Sequence, residues 1–589
     1  VSVIQSLFLD LIAALWIAIV FATLFFWLPE QFFSRAIAPD NRTLGTGTRM
    51  TLMTVAAVLS LSTLHLFNWL TLVLFYGVCF LANASLQTRQ NPLATIKLTL
   101  QRLAFIVLDL LDRGLSPELY KKARQSWRLG QRQLKVILKT IRIAINNNKL
   151  TFLALAVILT FAILSRLEYP LQEMRFTHSD RYGTLLATRQ LIAGEQAQVN
   201  YVPVLPAIAA VISLLGGVDA MQVVRFLCPL WGLLLVLSVG YNVRSLTQNT
   251  SAALIATFSL GAYLFTWSGK LPELPDWWQQ WLGIITQNLN ASLIRQWAGG
   301  ELEIGATFLL VAIALWGNQK QSAWIDSICS LAIVTLTAPI LLILAGIGAV
   351  GLIGGRRFAF TLVAIAWVAL GLLAATPEHQ GGWERSFLLT LPVGLSLLGA
   401  LLSLFAISLL GVLLGRWSEV VCLLLVFAIS INFLLPLPPK IDYLEYEIAA
   451  RKTLELRSRF PIKSWVIAAP LEQLAESYGA GWHEDLAMFV QKYVDKVGER
   501  DFQFSYSVPH LFVFVEKKPF VTSLITSQDI PNSLLDDPTY RYYRSTAGRA
   551  SLQYEALQMC ETYRRLHADT TSIDYEDEEL RIYHFAIAK

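Results

Sequence analysis

Apolar residues in this chain fall into long blocks rather than short alternations. The blocks 6–28, 50–82, 150–165, 222–242, 251–268, 303–317, 323–338, 339–354, 358–376, 387–413 and 418–436 read as about eleven membrane spans, given that a spanning helix needs about 20 mostly apolar residues. The 323–354 run is either one long helix or a pair turning near Thr337-Ala338-Pro339. Segment 202–217 is apolar but only 16 residues long and holds two prolines. It reads as an external re-entrant or interfacial helix. Between the second and third blocks, Leu93, Ile96, Leu100, Leu103 and Ile106-Val107 recur at helical spacing, the pattern of a helix lying on a membrane surface.

Beyond a Pro-rich exit at 435–439 the pattern changes. Strand-like runs occur at 465–469, 510–516 and 581–587, and helical runs at 441–458, 470–477, 484–497 and 549–567. The expected fold is therefore mainly α: a polytopic membrane helical bundle with a C-terminal external α/β domain large enough for its own core. Four parts follow: two N-terminal spans (1–82), a helical arm (83–149), the main membrane domain (150–436) and the soluble domain (437–589).

Composition and charge sharpen this picture. Of 589 residues, 55% are hydrophobic and 15% charged, and mean hydropathy is +0.51. Ordinary soluble domains are about 25% charged, so a soluble enzyme, a disordered chain and a collagen-like fibre are excluded. Residues 437–589 hold 18 Lys+Arg and 23 Asp+Glu; the remaining 29 basic and 19 acidic residues leave 1–436 with a net charge of +10. The segment 83–150, with 13 basic residues against Asp109, Asp112 and Glu118, carries an equal excess. By the positive-inside rule that arm is cytoplasmic. It is read as a basic face on anionic lipid or as an arm for docking a membrane-protein partner through 1–149. Threading onward, Arg244, Lys320, Arg356-Arg357 and Arg416 fall inside. Loops 166–221, 269–302 and 377–386 and the C-terminal domain fall outside. The expectation is a multi-pass protein of a plasma or inner membrane with a periplasmic or luminal C-terminal domain. Cys79, Cys228, Cys329, Cys422 and Cys560 show neither disulfide nor zinc spacing.

The three external loops carry the candidate chemistry. The first contains His178-Ser-Asp180-Arg181-Tyr182 at the start of a helix and reaches Tyr201 before the next apolar segment. Near lipid, a carboxylate such as Asp180 is a functional candidate; it could also simply cap the helix. In the second loop, Glu301 and Glu303 follow two glycines at the mouth of a span. They could share a hard divalent cation such as Mg or Mn, or serve a helix N-terminus as favourable charge. The third loop offers Glu378, His379, Glu384 and Arg385. Arginine suits phosphate, although Arg385 could equally snorkel or pair with Glu384, and His379 could be a surface residue. An acid, an acid pair and an arginine on one face suit transfer from a phosphate leaving group: arginine and a metal take the developing charge, and Asp180 activates the acceptor. The acid run 574–579 reads as a solvated turn.

In order and content these parts resemble the GT-C superfamily of polyprenyl-phosphate-dependent glycosyltransferases, over roughly residues 150–436. The nearest resemblance is to oligosaccharyltransferase catalytic subunits and dolichyl-phosphate-mannose-type transferases. Asp180 in HSDRY resembles the family's acidic residue just after a membrane helix in the first external loop. The stretch Arg295-Gln-Trp-Ala298-Gly299-Gly-Glu301-Leu-Glu303 resembles the R-S-x-A-G-x-x-D-x-E segment, with one residue fewer before the first acid. Arg385 in WERSF resembles the external arginine that holds donor phosphates, a role shared here with Arg295. The WWDYG acceptor motif is absent; Trp482-His483-Glu484-Asp485 does not replace it. The resemblance implies an inverting enzyme that moves one sugar from a polyprenyl-phosphate donor to a lipid, glycan or protein acceptor. It would have Asp180 as catalytic residue, Asp180, Glu301 and Glu303 as metal ligands, and His178, Arg181, Tyr182, Tyr201, Glu378 and His379 along the donor or acceptor path. Membrane lipids and the donor are the expected partners, and no nucleic acid. The rivals are a catalytically degenerate subunit of this fold that scaffolds a membrane complex, and a transporter. Few mid-span charges and no inverted repeat speak against the transporter.

Overall fold

The computed structural model describes residues 3–29, 42–88, 101, 149–176, 179–197, 202–262, 300–317, 321–374, 385–433, 443–518 and 546–587. Nearly all of the arm 83–149 and most of loops 269–302 and 377–386 lie outside the described residues. The described part is a helical bundle joined to a small α/β domain.

The N-terminal region comprises α1 (Val3–Ala22, continuing as a π-helical turn to Trp27), α2 (Arg42–Thr63) and α3 (Trp69–Thr88). The 50–82 block is therefore a helical hairpin and not one span. His65 breaks it with a left-handed φ of 54°. Asn68 restarts the helix by accepting the Thr71 N–H at 3.0 Å, a side-chain N-cap. The main domain continues with α4 (Lys149–Gln172), α5 (Ser179–Ile192), α6 (Val204–Gly216), α7 (Ala220–Thr247) and α8 (Thr250–Gly261). After these come α9 (Glu301–Trp316), α10 (Gln321–Thr337), α11 (Leu342–Ile353), α12 (Arg356–Ala374), α13 (Arg385–Leu389), α14 (Leu391–Leu414) and α15 (Ser418–Phe433). Among the described residues, six helices are long and apolar enough to cross a membrane: α1 with its π-turn, α2, α4, α7, α12 and α14. The 323–354 run is a pair, broken where Pro339 opens a 3-10 turn and cannot continue the preceding helix.

The segment 202–217, read as a re-entrant or interfacial helix, forms α6, whose residues Val204 through Ile212 are all buried within the protein, packed among α2, α5, α7 and α1. Its last turn is closed by Gly217 in a left-handed conformation and by the Trp16 indole donating to Gly216 O. Arg166, expected in an external loop, lies inside α4 and is fully buried. Its guanidinium donates to Gly261 O at 3.1 Å and Leu260 O at 3.3 Å, a cation on the C-terminal carbonyls of α8.

The α/β domain contains α16 (Glu447–Arg459), β1 (Trp465–Ala469), α17 (Leu471–Ser477), β2 (Trp482–Asp485), α18 (Leu486–Tyr493), β3 (His510–Glu516), α19 (Thr546–Leu566), β4 (Thr571–Glu576) and β5 (Leu580–Ala586). Its sheet has the order β2-β1-β3-β5-β4, with β2, β1 and β3 parallel and β5 and β4 antiparallel. Alternation along β1 sends Val466 and Ala468 towards α18 and α19, and Trp465, Ile467 and Ala469 towards α16 and α17. The acid run is the end of β4 and its turn, where Asp577 accepts the Glu579 and Leu580 N–H groups, both at 2.7 Å.

The bundle has two unlike ends. At one, Asp219 at the head of α7 pairs with Arg457 of the α/β domain. At the other, Ser245 donates to Ala314 O, and Arg244 and Arg356 sit beside the last turns of α7 and α9. A 28-residue helix separates them by about 42 Å.

Candidate functional site

The site is at the α/β-domain end, where α4, α5, α7 and α9 converge. Helix α5 is buried on nearly every side, so its polar residues must find partners within the protein. Asp180 occupies the first turn of α5 rather than preceding it, so it is not the residue before the helix that a simple cap would be. Its side chain, like that of Arg385 at the head of α13, lies outside the described part. His178, Tyr201, Arg295, Glu378 and His379 lie outside the described residues.

Arg181 follows Asp180 and is 3% exposed. It lines a small cavity of about 50 Å³ together with Arg175, Arg225, Glu173, Cys228 and Tyr443. Its Nη1 lies 3.7 Å from Cys228 Sγ, and its Nε has no hydrogen-bond partner. Arg181 also meets the second loop. A Cβ added to Gly300 would lie 2.9 Å from both Arg181 Nη2 and Glu303 Oε2. Glycine at 300 is what lets these two side chains close over the backbone; what approaches the glycine is the chain's own arginine.

Glu301 and Glu303 point into different surroundings, since residues two apart on a helix do not face each other. Glu301 Oε1 accepts the Leu205 N–H at 2.8 Å and so caps α6, while its Oε2 is buried without a partner. Glu303 is buried against Gly300 and Arg181. Among the described residues there is no group of three or more candidate metal ligands. Glu301 spends one oxygen on a cap and Glu303 lies beside Arg181, while the side chain of Asp180, the third expected ligand, lies outside the described part.

The other two arginines were not picked out from the sequence. Arg225, in the second turn of the apolar helix α7, is clamped by Asp10 of α1 at 2.9 and 3.2 Å. The signal for both was present: an acid and a base within apolar spans. Arg175 pairs with Glu173 at 2.7 Å, donates to Glu445 O at 2.8 Å and lies 4.1 Å from the Tyr443 ring centroid. Burial opposes ionisation of Glu173, but Arg175 outweighs it and holds the carboxyl below its usual range.

Tyr182 was expected on the donor or acceptor path. It is instead fully buried, accepting the Phe176 N–H at 3.2 Å and donating to Glu445. It belongs to the junction with the α/β domain, which α17 forms against α5. Around it lie three fully buried carboxylates, Glu445, Glu472 and Glu476. Gln473 donates to Glu445 at 2.6 Å. Arg189 of α5 donates to Tyr478 O at 3.1 Å and pairs with Asp219 at 3.2 Å. Burial, then Glu476 and Glu472, push Glu445 well above the usual carboxylate range. Burial pushes Glu476 up to about 8 despite Arg189. The Trp482–Asp485 stretch is strand β2, and Asp485 caps α18 through the Ala487 and Met488 N–H groups.

The chain matches no known family model, and no curated protein is significantly similar to it.

Proposed function

We propose that this chain is an integral-membrane glycosyltransferase of the GT-C type, with about eleven spans, acting at the membrane face that carries the α/β domain. It moves one sugar from a polyprenyl-phosphate donor to an acceptor hydroxyl or amide. The observation that carries this reading is that Arg181 Nη2 and Glu303 Oε2 both lie against Gly300, with Glu301 close by, at an arginine-lined cavity one residue from Asp180. A space of about 50 Å³ suits a small anion or a few waters. In the reaction the acceptor oxygen or nitrogen bonds the anomeric carbon as the bond from that carbon to the phosphate oxygen breaks. Asp180 takes the acceptor proton. Arg181 and the N–H groups of the first turn of α5 receive the charge on the departing polyprenyl phosphate. Asp180→Asn should abolish sugar transfer by purified protein while expression and the unfolding midpoint stay unchanged; activity like that of the parent would remove Asp180 from the site.

A second reading is a non-catalytic subunit of the same fold. It is favoured by Glu301 serving as a cap and by Arg175 and Arg225 being held by their own acids. Binding of a polyprenyl-phosphate analogue separates the two: the enzyme binds it and Arg181→Ala weakens it, whereas the scaffold does not bind.

A further inference from the structure

A second, larger cavity lies away from this site. It opens at the opposite end of the bundle, between α12 and α14 and beneath the turn from α7 to α8, with a volume of about 650 Å³. That falls in the range of pockets that take a whole organic ligand, about 300–1,000 Å³. Its lining is divided. Gln248, Asn249 and Arg357 gather at the mouth, and Leu401, Leu404 and Phe405 form the wall along α14. Phe405 is 71% exposed and Leu402 61%, so the wall is open sideways, where a spanning helix faces lipid. Arg357 has no acidic partner among the described residues, unlike Arg225, Arg175 and Arg189. Arg244 and Arg356 lie at the same end.

We infer that this groove is a binding site for an anionic phospholipid, its phosphate on Arg357 beside Gln248 and Asn249 and an acyl chain along the α14 wall. A charged head at the mouth with an open apolar wall matches an amphiphile, not a soluble anion or a purely apolar guest. A basic bundle end also faces the leaflet whose anionic lipids attract Lys and Arg. The site would anchor the α12–α14 pair independently of whatever chemistry occurs at the other end.

Native mass spectrometry of the full, delipidated chain in detergent tests this, with phosphatidylglycerol, phosphatidylcholine or inorganic phosphate added. The expected result is one retained phosphatidylglycerol in preference to phosphatidylcholine, undisturbed by inorganic phosphate. Arg357→Gln should reduce that preference about tenfold, the scale of one charge-assisted hydrogen bond, and Arg357→Lys should keep most of it. Ser408→Trp, which fills the groove, should reduce retention of both lipids. Equal retention of the two lipids, full retention in Arg357→Gln, or displacement by inorganic phosphate would each overturn the inference.

Discussion

Several charged residues inside this bundle are held in pairs, and the pairs explain which positions tolerate change. Arg225 and Asp10 are both largely withdrawn from solvent. Removing one partner from such a pair strands a buried charge, at a cost of about 3–5 kcal/mol, whereas replacing both by apolar groups is often near neutral. Asp10→Asn or Arg225→Met alone should therefore lower the unfolding midpoint in detergent substantially, and the double variant Asp10→Leu with Arg225→Met should recover most of it. Equal loss in all three would show that the ion pair is not the reason. Gly300 is a second such position. Gly300→Ala places a methyl 2.9 Å from Arg181 Nη2 and Glu303 Oε2, so it should separate them. On the proposed function it should reduce transfer about 100-fold, as loss of one charge-stabilising donor does, with little change in global stability. Glu301 shows why residue type alone misleads: a carboxylate at a helix mouth suggests a ligand, yet this one satisfies the first turn of a different helix 96 positions away in sequence.

At the scale of elements, α5 joins the two halves of the molecule. It packs against α6 and α7 on the bundle side and α17 on the other. Glu445 and Glu476 lie within hydrogen-bonding reach of each other, so at least one must hold a proton for the junction to close. They face Tyr182 and Arg189 from α5, Glu472 and Gln473 from α17, and Arg457 from α16. The sign follows from the raised values. Protonated Glu476 contributes stability that is complete below about 4.5, and that stability is lost as pH rises through about 8. Hydrogen exchange in α5 and α17 should accordingly be slowest at mildly acidic pH and quicken towards pH 8–9, and Glu476→Gln should flatten that dependence. An unchanged profile in Glu476→Gln would assign the pH response to another group. The helices and strands themselves were legible wherever period and length agreed: strands form at 465–469, 510–516 and 580–586. Strands β2 and β4 were not legible, because their side chains are mostly part-exposed and polar and only pairing with β1 and β5 makes them strands.

For the whole molecule, the distribution of charge predicts the orientation that the proposed function requires. With the basic end cytoplasmic, Ile462 of the α/β domain and Ile353 at the end of α11, both strongly exposed, lie on opposite faces. Cysteines introduced singly at these positions in a background lacking the native five should label with an impermeant thiol reagent from opposite sides of intact cells or vesicles: Ile462→Cys from outside, Ile353→Cys from inside. Labelling from the same side would break the topology, and with it the external location of the site. The amino-acid sequence by itself determined that this is a membrane-embedded helical protein with a separate α/β domain, because hydropathy and periodicity are properties of contiguous residues. It also brought Arg181, Glu301 and Glu303 forward as candidates. Only the tertiary structure decided that Arg181 and Glu303 both lie against Gly300, that Glu301 caps α6, that α6 is buried, and that Tyr182 belongs to a domain junction. Those outcomes depend on which distant segment lies opposite each side chain, and local spacing carries no information about that.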